Sequence, residues 1–149
     1  MRSFLIAVLV AALAAPAFAA PRSMPNLDEY VKLEEKLCGP TAEGVPVLKF
    51  TEWRRAPEDV ESSNAMTDEE RANFEWNFVY VLDRLSDGAA IMERVYGNDK
   101  VPTSRSFGVK LDSKSEWRLF DKDELKAANE AIGKVFPPNE LRAATAFCR

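Results

Sequence analysis

Residues 74–85, Phe-Glu-Trp-Asn-Phe-Val-Tyr-Val-Leu-Asp-Arg-Leu, constrain the fold more than any other stretch. Successive side chains of an extended strand point to opposite faces. Phe74, Trp76, Phe78, Tyr80 and Leu82 would then share one face, and Glu75, Asn77, Val79, Val81 and Asp83 the other. A helix would gather Phe74, Phe78, Val81, Leu82 and Leu85 into a stripe but strand Trp76, Val79 and Tyr80 outside it. Alternation is the cleaner pattern, and aromatic and β-branched residues suit a pleated surface. A strand is expected, with helix as the open alternative.

The neighbouring segments extend this reading. Ser86-Asp87-Gly88 suits a hairpin turn, because Asp-Gly readily supplies the positive φ of a tight reversal. Residues 90–96 form the return strand, and Gly97-Asn98-Asp99-Lys100 turns again. Residues 105–111 and 116–120 flank Asp112-Ser113-Lys114-Ser115 as a second hairpin. Residues 45–53 read as a strand, with Pro46 favouring an edge or a late entry. The polar stretch 56–66 reads as a loop, and Thr67 with Glu70 opens a short helical turn.

Two longer helices are expected. Asn26 with Glu29 looks like a capping box, followed by Leu27, Tyr30, Val31, Leu33, Leu37 and Cys38 as the apolar side of a helix over 27–38. Gly39-Pro40 would end it. Asp121 with Glu124 starts another helix to about Phe136, with Leu125, Ala128, Ile132, Val135 and Phe136 as its stripe. Pro137-Pro138 stops that helix, and a further short one is expected in the tail 139–149. The expected class is α+β: an antiparallel sheet of about four or five strands packed by an N-terminal and a C-terminal helix. This layout resembles small exported modules in which one sheet curls around a helix.

The first residues carry a different signal. Arg2 precedes an apolar run from Phe4 to Ala15, and Ala17-Phe18-Ala19 offers small residues where a signal peptidase reads. Residues 1–19 are therefore expected to be a secretory signal peptide, and residues 20–149 a single α+β domain in the periplasm or outside the cell. Without Arg2, one of 20 bases, the mature chain has 24 acids against 19 bases and a net charge of −5. That balance argues against nucleic acid and polybasic membrane binding. In an oxidising compartment, Cys38 and Cys148 are expected to form one structural disulfide.

The chain contains no histidine, which removes imidazole-based catalysis and His-ligated zinc. No phosphate-cradling glycine loop or calcium-loop spacing is present. No cofactor, metal site or catalytic set is expected from these residues. Glu75 and Glu93, on one expected hairpin, with Glu52 and Glu116 beside tryptophans, are what a carboxylate-dependent polysaccharide hydrolase would use. Acids on the solvent face of a half-exposed sheet explain them as well.

The expected function is a non-enzymatic module that binds another protein of the envelope or extracellular space, in the manner of an inhibitor or an immunity-type protector. Glu58, Asp59 and Glu61 in the acidic loop would suit a basic partner. Trp53 with Arg54, Trp117 with Arg118, and Trp76 with Tyr80 would offer aromatic contact surface, although tryptophans anchoring the helix-covered face account for the same pattern. The alternative is a small-molecule carrier whose curled sheet holds a ligand beside Trp76, Phe78 and Tyr80.

Overall fold

The computed structural model describes residues 23–39 and 47–145. The expected signal segment 1–19 and Cys148 lie outside the described residues. Among these residues six strands form one antiparallel meander in sequence order: β1 Val31–Cys38, β2 Leu48–Arg55, β3 Trp76–Arg84, β4 Ala90–Asn98, β5 Val101–Lys110 and β6 Arg118–Asp121. Among the described residues three α-helices accompany the sheet: α1 Asp68–Asn73, α2 Leu125–Val135 and α3 Pro138–Thr145. The class is α+β, with one strand more than the four or five expected.

The extra strand replaces the expected N-terminal helix. Asn26 does cap a turn, its Oδ1 accepting from the Asp28 N–H at 3.2 Å, but this is a single 3-10 turn over Leu27–Glu29. Residues 31–38 then pair with β2, from Val31 opposite Arg54 to Cys38 opposite Leu48. A bulge between Lys32 and Glu34 leaves Leu33 outside the register. Val31, Leu33 and Leu37 are 42–50% exposed, so this part of the expected helix stripe faces solvent along a sheet edge, while Cys38 is buried and Leu27 and Tyr30 pack on the sheet. Pairing with a neighbour has overridden local helix preference.

The other elements follow their local chemistry. The segment 74–85 is strand β3, centred between β2 and β4. Its hairpin closes through the Arg84 N–H to the Ala89 carbonyl at 2.7 Å, with Gly88 at φ 75°. Both downstream capping boxes form: Thr67 with Glu70 ahead of α1, and Asp121 with Glu124 ahead of α2. The expected loop 56–66 contains two 3-10 turns, Pro57–Asp59 and Ser63–Ala65. Pro137-Pro138 ends α2, and Pro138 then opens α3, where its missing N–H costs nothing.

Both faces of the sheet are packed. On one, Leu48, Val109 and Phe120 meet Ala128, Val135 and Phe136 of the α2 region. Each fully buried Leu, Val or Phe side chain contributes roughly 1.5–3 kcal/mol. Leu125, expected in the α2 stripe, is 49% exposed, and Ala131 packs against the core instead. On the opposite face, Val79, Val81, Ala90 and Met92 are covered by Met24, Leu27 and Tyr30 from the N-terminal segment and by Trp53 and Trp117.

Candidate functional site

The sheet is wider than its helical cover. Six strands at about 4.8 Å spacing span roughly 24 Å, whereas α2, a helix about 10 Å across, packs on β5 and β6. The uncovered remainder is a cleft of about 640 Å³. Phe50, Tyr80, Leu82, Ile91 and Phe107 line it from the sheet, and Ile132 and Leu141 from α2 and α3. Phe50 and Tyr80 stack with centroids 6.3 Å apart and planes 22° from parallel.

The cleft's charges are paired across its lining. The Lys36 ammonium lies 3.2 Å from Glu34 and 5.3 Å from the centre of the Phe50 ring. Glu93 lies 3.5 Å from Arg105. The strand registers set Glu34, Glu52, Tyr80, Glu93 and Phe107 in one cross-strand row. Burial, then Glu52 and Glu93, push the Tyr80 phenol above its ordinary pKa, with Arg105 opposing them. Tyr80 therefore stays protonated at neutral pH and presents a hydroxyl donor at the edge of an apolar surface.

A second hollow of about 440 Å³ lies further along the sheet, lined by Arg54, Glu58, Arg71, Trp76, Phe78 and Asp99. Trp76 packs closely on Gly97: a Cβ at that position would stand 3.0 Å from Trp76 Cζ2. Trp76 meets Phe78 edge-on at 6.1 Å.

The structure thus divides the residues expected to bind. Tyr80 belongs to the large cleft, while Arg54, Glu58 and Trp76 line the smaller hollow. Asp59 is committed to Arg54, accepting from Nε at 2.9 Å and from Nη2 at 3.1 Å, and Glu58 lies 3.9 Å from the same guanidinium. Glu61 is exposed. Trp53 and Trp117 pack on the face opposite the helices, so they do not anchor the helix-covered face. Arg118 lies over the Phe120 ring at 4.9 Å, and Trp117 precedes β6 instead of lying on it.

The expected carboxylate pair is separated. Glu75 precedes β3, whereas Glu93 pairs with Tyr80, five positions further along. At about 3.3 Å per residue that is roughly 16 Å, beyond the spacing of either glycosidase geometry. Among the described residues, no group of three or more His, Cys, Asp or Glu side chains is arranged to hold a metal ion.

Comparisons with protein-family models, curated proteins and solved structures returned no match.

The sequence pattern does not single out Phe50, Phe107 or Leu141, and it marks Ile132 only as part of the α2 stripe. Phe50 shares strand parity with Glu52 and Arg54, which was readable, but its approach to Phe107 depends on how four strands align.

Proposed function

We propose that this is an exported, non-enzymatic binding protein that holds a small molecule with an apolar or aromatic body in the cleft beneath α2 and α3. The observation that supports this reading is the cleft itself. Its volume of about 640 Å³ lies within the range of small-molecule sites. Its floor is aromatic, its helical wall is aliphatic, and the Tyr80 hydroxyl supplies an orienting donor. None of the three tryptophans lines it, so tryptophan quenching is a poor reporter and a direct mass measurement is preferable.

Native mass spectrometry of the mature protein, purified gently from its own envelope fraction, should show a retained adduct of a few hundred daltons. Ile132→Gln places an amide on the cleft wall and should weaken retention about tenfold, in line with losing apolar burial of one aliphatic side chain. A bare protein that also fails to enhance the fluorescence of anilinonaphthalene sulfonate would sink the reading.

A second reading, capture of a partner protein, is supported by β1. This eight-residue strand pairs only with β2 among the described residues and carries exposed Val31, Leu33 and Leu37. In the acidic loop only Glu58 and Glu61 remain well exposed for a basic partner, because Asp59 is turned onto Arg54. Extra mass of a whole polypeptide in the same measurement would favour this reading over the first.

Export also motivates the disulfide. Cys38 is fully buried at the end of β1, against the core that contains Leu48 and Phe136. We propose that it is bonded to Cys148, fastening the tail beside β1. A non-reducing peptide map should join the two cysteine peptides, and finding both thiols alkylated without reductant would exclude the bond.

A further inference from the structure

We propose that the sheet face covered by the N-terminal segment holds a binding site for a small oxyanion, centred on Arg94. The site lies on the side of the sheet opposite the cleft and does not depend on the cleft's function.

Arg94 is 9% exposed, yet its partners are neutral. Its Nε donates to Asn77 Oδ1 at 2.9 Å, and one Nη reaches the Tyr30 hydroxyl at 3.5 Å. Its guanidinium lies 5.3 Å from the centre of the Tyr96 ring. Among the described residues, no carboxylate lies within ion-pairing distance of it. A buried charge without a counter-charge is strongly destabilising, whereas one held by an opposite charge is tolerated. Neutral partners satisfy N–H groups but leave the charge uncompensated.

The surroundings add donors and positive charge. Trp53, Val79, Arg94 and Ser106 occupy one cross-strand row. The Trp53 indole N–H is buried without an acceptor, and Ser106, directly opposite Arg94, is 5% exposed. Arg55 stands one row away, next to Asn77, with its guanidinium 4.9 Å from the centre of the Phe74 ring and no ion pair among the described residues. Burial raises the Tyr30 phenol's pKa, and Arg94 and then Arg55 oppose that shift. Glu29 also acts on the phenol, but more weakly, and pairs with neither arginine.

Met24, Leu27 and Tyr30 pack over this face. The cluster therefore combines one buried cation, a half-buried second one and buried neutral donors on a face that this segment covers. A carboxylate or a tetrahedral oxyanion has the charge and acceptor atoms that such a set lacks.

The test uses the full mature chain at pH 7 and constant ionic strength. Inorganic phosphate, and separately acetate, replaces chloride while the thermal midpoint is followed. A ligand that binds only the folded state raises that midpoint with concentration. The expected result is a phosphate- or acetate-dependent rise that is lost in Arg94→Met, a change that removes the charge while keeping an unbranched apolar side chain. Trp53→Phe keeps a ring but removes the N–H, and should shift the anion concentration needed by about tenfold or more. The response to each anion shows whether a tetrahedral ion or a carboxylate head is preferred. Equal midpoints in phosphate, acetate and chloride would overturn the proposal. So would an anion effect that survives Arg94→Met undiminished, or, should that variant not fold, one that survives Trp53→Phe undiminished.

Discussion

Replacing Gly88 by alanine is expected to destabilise the protein by about 3 kcal/mol, from two separable causes. Gly88 sits at φ 75°, in the left-handed region, where an L side chain costs about 1–2 kcal/mol. A Cβ there would also lie 2.7 Å from Ser113 Cβ and 2.9 Å from both Ser113 Cα and N. Two of those three atoms are backbone, so the neighbour cannot yield by rotating a side chain. Ser113 is itself held in place, its N–H donating to the Asp87 carbonyl at 2.9 Å. Overpacking of this kind adds roughly 1–3 kcal/mol. Urea unfolding should show a lower midpoint at unchanged slope. Gly88→Asn divides the two causes, because asparagine tolerates positive φ but brings the same Cβ. It should recover the backbone part and retain the steric part. An asparagine variant as stable as the native protein would show that the Ser113 turn moves aside.

The turn at Gly88 was legible because its chemistry is local. The same holds for the Asp121 and Thr67 capping boxes, where side chain and backbone lie three residues apart. Strand β3 was legible for a different reason. It lies between two neighbours and has packed residues on both faces, so burial enforces alternation along its length. At the edge strand β1 that enforcement is absent. Its bulge at Leu33 breaks the two-residue period, and exposed Val31, Leu33 and Leu37 carry no inward or outward preference. Leu, Glu and Lys then read as helix formers, and only pairing with β2 shows otherwise.

The candidate sites divide in the same way. A reversal centred on residues 86 and 87 sets Tyr80 opposite Glu93, so that contact was open to inference from the hairpin alone. The cleft was not, because it arises where α2 fails to cover β1–β4, and helix placement on a sheet leaves little trace in local pattern. Arg94 did carry a signal. It is in phase with Ala90, Met92 and Tyr96, all buried, so the alternation of β4 directs a guanidinium inward. A charge on the buried phase of a strand is more informative than the many acids on its other phase.

Arg84→Ala is expected to cost about 2–3 kcal/mol, because this side chain joins three elements. Its Nε and Nη2 bind both oxygens of Asp87 at 3.0 and 2.8 Å. Its Nη1 reaches Glu140 of α3 at 2.8 Å and the Val135 carbonyl at the end of α2 at 2.9 Å. The guanidinium lies 5.1 Å from the centre of the Phe136 ring. Breaking a fully buried pair costs about 3–5 kcal/mol. Arg84 is only 15% exposed, but Asp87 is 44% exposed, so solvent screening lowers the expected figure. Lysine preserves the charge without the planar fork, and Arg84→Lys should lose most of the same stability. The loss should also depend on pH. Hydrogen bonds from Arg84, then from the Ala89 N–H, hold the Asp87 carboxyl below its ordinary value of 3.8. A depressed carboxyl stabilises the fold above its unfolded pKa, and that contribution fades as pH falls through the lower folded value. Asp112 is depressed too, by hydrogen bonds from Ser115 and Lys114, but it titrates in the native protein and the variant alike. The stability gap between native protein and Arg84→Ala should therefore be constant from neutral pH to about pH 5 and narrow below about pH 4. A gap unchanged down to pH 3 would mean that Asp87 contributes nothing through Arg84. The corner would then be held by Glu140, the Val135 carbonyl and the Phe136 ring.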